Sequence, residues 1–229
     1  MLLVRAADIP EYVQDGVVDC GITGLDLVRA RGAVVRELLR LGFGSCRLEA
    51  AVPEEAEIRS IDDLSGSSVA TVYPNLTKAL LPDGVTLVDV SGAVEIAPRL
   101  GLADAIVDLV SSGSTLRTNG LRSLGVLLES EAVLVGRDAD QAASFAAMLR
   151  AVVDARRHRY LMLNAPEDRL AEIASLVAPR IPSVLPLAEP GMVAVHALVP
   201  AADVWRLLPQ LEAAGGSAIL IVPVERMAA

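Results

Sequence analysis

From residue 105 to 110 the chain reads Ala-Ile-Val-Asp-Leu-Val, and five small residues follow without a break: Ser111, Ser112, Gly113, Ser114 and Thr115. A short apolar run that stops at such a loop reads as a buried strand ending in a turn rich in free backbone N–H groups. Several N–H groups converging on one spot favour an anion, most of all where a helix begins. The hydroxyls of Ser112 and Thr115 add donors. Asp108 lies near the C-terminal end of the strand, where ligands gather in open α/β sheets. A carboxylate there suits sugar hydroxyls, or Mg²⁺ held through water. Together these make the minimum equipment for a ribose 5-phosphate, although a plain turn has the same composition.

The flanking chain alternates short apolar runs with helical patterns, which predicts α/β architecture with a mainly parallel sheet. Strands are expected over 2–4, 17–22, 47–52, 68–72, 86–90, 125–128 and 131–135, and helices over 9–14, 25–30 and 76–81. Leu41-Gly-Phe-Gly-Ser-Cys46 suits a crossover between lobes as well as an ordinary loop. Ser91 is placed to cap a helix carrying Glu95, which Pro98 should kink. A long helix is expected over 139–156, with Ala142, Phe145, Met148, Leu149 and Val152 at core spacing. Beyond Tyr160 the pattern restarts as strand, helix, two strands, helix, strand, a ferredoxin-like arrangement.

Charge narrows the function classes. Net charge is −9, which argues against nucleic acid or an anionic membrane as partner, so a polyphosphate needs local Arg or a metal ion. Residues are 53% hydrophobic but only 3% aromatic, so Ala, Val, Leu and Ile must build the core. Cys20 and Cys46 are too few for a disulfide framework and read as core thiols in a reduced cytosol. With no apolar leader and no membrane-length run, the expected location is cytoplasmic. His158 and His196 are the only histidines and support neither a triad nor a metal cluster.

Glu95, Gly101, Ala103, Ile106, Asp108, Leu109, Ser112, Gly113, Thr115 and Leu116, at these spacings, resemble the signature of ATP phosphoribosyltransferases, the first enzymes of histidine biosynthesis. The resemblance extends from Val4-Arg-Ala-Ala-Asp-Ile9 through Asp19-Cys-Gly-Ile-Thr-Gly24 to the end. Tyr160-Leu-Met-Leu-Asn-Ala-Pro166, Pro182-Ser-Val-Leu-Pro-Leu187 and Gly215-Gly-Ser-Ala-Ile-Leu220 are similar to the regulatory domain of the family's long form. Two departures stand out. Ser91-Gly92 replaces the family's more usual acidic or amide residue before Gly, and a first strand and helix bearing a basic residue are absent in front. A late start or a shortened chain would leave a sheet edge unpaired.

The resemblance implies two lobes similar to the type II periplasmic-binding-protein fold plus a C-terminal ferredoxin-like (ACT-like) domain. The expected boundaries are 1–44 with 137–156 for the first lobe, 45–136 for the second, and 157–229 for the regulatory domain. It also implies condensation of ATP with phosphoribosyl pyrophosphate, with Mg²⁺, in a dimer or hexamer inhibited by L-histidine. Asp108 is then assigned to ribose hydroxyls or metal, and residues 111–115 to the 5-phosphate. Glu95 is either a ligand-facing acid or a brace for that loop. Arg5, Arg47 and Tyr73 are candidates for the nucleotide. Asn164, Ser183, Ala197 and Ala218 are candidates for the histidine site, or simply fit tight packing. A catalytically impaired regulatory paralogue and a non-enzymatic small-molecule-binding protein are the alternative classes.

Overall fold

The computed structural model describes residues 1–111, 113–179 and 181–228, and its chain divides into two units, Met1–Ala146 and Ala147–Ala229. The first unit runs through α1 (Ile9–Gln14), β1 (Cys20–Gly24), α2 (Leu25–Arg31) and β2 (Arg36–Arg40). It continues through β3 (Cys46–Pro53), β4 (Ser68–Thr71), α3 (Pro74–Leu80), β5 (Thr86–Asp89), β6 (Ala105–Val110), α4 (Ser114–Thr118), β7 (Leu121–Ser130) and β8 (Ala132–Gly136). Helix α5 (Ala143–Arg156) spans the division between the units.

Two sheets result. One has the order β1-β8-β2 and is antiparallel; the other has the order β5-β4-β6-β3-β7. In the second, β4 is parallel to β5 and β6, while β3 is antiparallel to β6 and β7. The chain therefore crosses between sheets twice, at 41–45 and at Glu131, so the crossover reading of the Gly-Phe-Gly stretch holds. Gly42 and Gly44 take φ of +69° and +67° there, which glycine adopts without steric cost. The two crossings lie side by side: the Leu41 N–H donates to the Ala132 carbonyl, and the Ala132 N–H to that of Phe43, both at 3.0 Å.

The sheet of β3 and β6 is apolar on both faces, as a largely buried sheet must be. Leu48, Ala50, Val52, Ala105 and Val107 pack on one side with Leu64, Val69 and Leu76. Ala51, Ile106 and Val110 pack on the other with Val94, Ala97 and Leu116. Fully burying a side chain such as Leu48 or Ile106 contributes about 1.5–3 kcal/mol. With so few aromatics, many such aliphatic contacts share the work.

Several sequence expectations are corrected. Residues 2–4 form no strand: they are exposed and no strand pairs with them, so their amides gain no ladder. The strand 132–136, placed by its position in the second lobe, belongs to the first sheet because β1 and β2 both pair with it. Glu95 sits not on a kinked α-helix but on the first of two 3₁₀ turns, Val94–Ile96 and Pro98–Leu100, and Ser91 makes no side-chain cap. Pro98 brings no N–H to continue a helix, while Val94 and Ala97 are buried and anchor the turns. In α5, Phe145 and Met148 are exposed, and Val153 and Ala155 are the buried positions.

The second unit holds β9 (His158–Pro166), α6 (Leu170–Leu176), β10 (Ser183–Pro186), β11 (Met192–Pro200), α7 (Val204–Ala213) and β12 (Ser217–Pro223). Their order, β10-β11-β9-β12, with antiparallel neighbours, is ferredoxin-like. Leu161, Leu163, Val195 and Ala197 pack with Ile173, Leu207 and Leu211 of α6 and α7. Strand alternation turns Tyr160, Met162, Asn164 and His196 to the opposite face. Among the described residues no helix is long and apolar enough to cross a membrane.

Candidate active site

The site is built where the two crossings meet the end of β6. Antiparallel pairing sets Cys46 opposite Ser130, and Arg47 between Val110 and Glu129. A cavity of about 340 Å³ opens there, lined among others by Arg40, Ser45, Cys46, Arg47, Ser111 and Glu131.

Asp108 is half-buried on β6, directly across from Glu49 on β3. Its Oδ1 accepts the Leu109 N–H at 2.8 Å. Burial raises its carboxyl above the usual aspartate range, the Leu109 N–H pulls it back, and the Glu95 carboxylate raises it further. Glu95, on a different element, is thus near enough for its charge to act on Asp108.

The small-residue loop follows. Ser111, Ser114 and Thr115 are exposed, and Ser112 lies outside the described residues. Gly113 takes φ +70° and precedes α4, whose Leu116 is buried and ties the helix down. Arg117 approaches the same turn, with Nη1 3.4 Å from where a Cβ on Gly113 would stand. Sequence reasoning passed over Arg117; its place two residues after Thr115, within one helical turn of the loop, was the available signal.

Tyr73, just before α3, is half-buried, and its phenol is pushed up to about 12 by burial and by the negative groups Asp26, Asp108 and Cys46. It stays a protonated donor at neutral pH. Arg47 lines the cavity, and its Nε lies 2.9 Å from Oε1 of the buried Glu49 in an ion pair. Arg5 is exposed at the start of a 3₁₀ turn and is not among the cavity residues. The structure therefore brings Asp108, Glu95, Tyr73, Arg47 and Ser111 to one region and leaves Arg5 off the cavity wall.

Three further polar residues complete the region. Asp26 and Ser130 are buried: the Ser130 hydroxyl donates to Asp26 Oδ1 at 2.6 Å and accepts the Asp26 N–H at 2.9 Å. Cys46 is partly exposed on the cavity wall rather than in the core; burial and then Asp26 raise its thiol. Cys20 is likewise only partly buried.

A bound cation has limited support from protein alone, since no three His, Cys, Asp or Glu among the described residues cluster to hold a metal. Asp108 and Glu95 suit a Mg²⁺ that takes most of its ligands from water and substrate phosphates. The histidines are spent locally: His158 Nδ1 lies 2.8 Å from the Asp154 carbonyl, and His196 Nδ1 lies 3.2 Å from the Tyr160 hydroxyl.

Of the four candidates for a histidine site, Asn164 and Ala218 come together. The Ser217 hydroxyl meets the Asn164 carbonyl at 3.4 Å, and Ala218 follows at φ +48°. Ser183 lies two strands away on β10. Ala197 is 4% exposed in the helix-covered core, because strand alternation puts it opposite His196.

Comparison with known proteins accords with this geometry. Residues 5–155 match the family model described as ATP phosphoribosyltransferase, and residues 155–226 the one described as HisG, C-terminal domain. ATP phosphoribosyltransferases of Halobacterium salinarum and Gemmatimonas aurantiaca are each 44% identical, over 99% of this chain and 84% of theirs. A solved ATP phosphoribosyl transferase (HisG:HisZ) complex from Thermotoga maritima is similar with a TM-score of 0.58 at 26% identity, covering 67% of this chain and 79% of that one. The chain belongs to the ATP phosphoribosyltransferase family, glycosyltransferases of histidine biosynthesis, in the long form that carries the C-terminal domain.

Proposed function

We propose that the cavity at the two crossings condenses ATP with phosphoribosyl pyrophosphate, giving N1-(5-phosphoribosyl)-ATP and pyrophosphate. The observation that carries this reading is Asp108, half-buried near the end of β6, two residues ahead of the loop that begins at the exposed Ser111 and turns at the positive-φ Gly113. In this reading residues 111–115, with Arg117 close by, take the 5-phosphate. Asp108 accepts bonds from the ribose hydroxyls, and Glu95 keeps negative charge beside it as C1 becomes cationic. Tyr73 and Arg47 serve the nucleotide, Tyr73 as a neutral donor. Asp108 and Glu95 would hold a Mg²⁺ together with substrate oxygens and water, and the ion would supply neutralising charge for the pyrophosphate leaving group. The protein's own work is positioning and charge complementarity rather than covalent chemistry.

Asp108→Asn keeps shape and removes the charge. Turnover should fall by about 10²-fold or more, measured by release of pyrophosphate from ATP and phosphoribosyl pyrophosphate. Activity within twofold of the parent would remove Asp108 from the reaction.

The ferredoxin-like unit is, on the same reading, a sensor for L-histidine. Asn164 and Ala218 on the uncovered side of its sheet form its candidate centre, with Ser183 peripheral and Ala197 confined to packing. Inhibition then requires histidine to favour one global state over another, with a coupling of about 1–3 kcal/mol.

A further inference from the structure

Arg47 stands directly across the β3–β7 pair from Glu129. An exposed arginine and glutamate so placed ordinarily pair across the strands. Arg47 forms its ion pair along its own strand instead, Nε to Glu49 Oε1 at 2.9 Å. Exposure explains the choice: the Glu49 side chain is 6% exposed and that of Arg47 45%. Water competes little for a buried carboxylate, so the ion pair with it is the stronger one.

That ion pair engages the guanidinium, which has five N–H donors, only at its Nε edge. Among the described residues Arg47 has no second acceptor, so both Nη groups stay uncommitted on the cavity wall. The cavity's other cation is differently placed: Arg40 is held at 2.8 Å by Glu37 and at 3.7 Å by Glu131. A planar guanidinium fixed by its Nε edge presents two parallel donors, the geometry that grips two phosphate oxygens at once.

We propose that Glu49 is a positioning residue that fixes Arg47 as a polyphosphate contact in this cavity and keeps it from pairing with Glu129. The proposal rests on the reading that the cavity takes the nucleotide, and adds which group meets the triphosphate and what holds that group ready.

The experiment titrates inorganic tripolyphosphate into the full chain by calorimetry. Arg47→Ala should weaken binding about tenfold, the value of one charge-assisted contact, and Glu49→Gln about fivefold. The double variant should bind no more weakly than Arg47→Ala alone, because Glu49 acts only through Arg47. Adding Glu129→Gln to Glu49→Gln should restore most of the loss by removing the competing carboxylate, a recovery that general loosening of the strand would not give. If Glu49→Gln does not fold, Glu49→Asp takes its place with the same expectations. A parent that does not bind tripolyphosphate, parent-like binding by Glu49→Gln, additive losses in the double variant, or no recovery with Glu129→Gln each overturns the proposal. Turnover by the parent separates the two readings. An active parent with Glu49-independent binding sinks only this proposal, and an inactive parent with Glu49-dependent binding sinks only the enzymatic one.

Discussion

Gly113 holds φ at +70°, where the Cβ of any other residue crowds the following carbonyl oxygen. Space is not the difficulty, since an added Cβ would meet Arg117 Nη1 at 3.4 Å and Val110 Cγ1 at 3.9 Å, ordinary contacts. Handedness alone costs about 1–2 kcal/mol and a β-branched side chain adds to it. Gly113→Val should therefore re-fold the turn while Leu116 keeps α4 anchored in the core. Phosphoribosyl pyrophosphate binding should drop below calorimetric detection, with a melting temperature only about 2–6 °C lower. Binding as tight as the parent's would show that the loop backbone does not cup the phosphate. Asp108 was legible at this scale because a lone acid interrupts an apolar strand. Glu49 carried the same signal in Arg47-Leu-Glu-Ala-Ala-Val52. Asp26 and Ser130 did not, since their bond joins residues far apart in the chain and neither local pattern is unusual.

Parallel pairing of β4 with β6 is set in register by one small lock. Asp104 Oδ2 accepts the Ser68 N–H at 2.8 Å and its hydroxyl at 2.7 Å, while the Asp104 N–H meets the Ser68 carbonyl at 2.9 Å. The Ser68 hydroxyl, with its backbone N–H, holds the Asp104 carboxyl below the usual aspartate range. A carboxyl depressed by folding stabilises above its unfolded pKa, and that stability is lost as pH falls through the folded one. Because Asp104 is exposed, solvent screening keeps the gain to about 0.5–1 kcal/mol. Asp104→Asn should lower the melting temperature by about 1–4 °C at pH 7, and the difference should shrink as pH falls below the usual aspartate range. A difference constant down to pH 2 would assign the effect to shape rather than charge. Elements with a clean apolar period, such as β6 and α2, were readable in advance. Strand β2 was not: Arg36-Glu-Leu-Leu-Arg40 is a charged edge segment whose register against β8 shifts between Glu37 and Leu39. The turns around Glu95 failed for a different reason, because buried Val94 and Ala97 mimic a helical stripe that Pro98 cannot continue.

At the scale of the molecule, the sensor reading makes a claim about which unit holds L-histidine. A chain ending after Arg157 should lose histidine binding while keeping affinity for phosphoribosyl pyrophosphate, both read by calorimetry. Histidine that still binds the shortened chain would place its site in the catalytic part. The separate C-terminal unit was legible from the restart of the strand pattern near Tyr160. The partnership of β8 was not, because a five-residue apolar strand shows nothing of which sheet it will enter. That partnership has a consequence for how the protein is made. Strand β8 is the middle of its sheet, flanked by β1 and β2, so those two have no ladder until the entire five-stranded sheet that separates β2 from β8 in the chain has been synthesised. On the ribosome the lobe that starts second is therefore finished first, and the strands that emerge earliest wait longest for a partner.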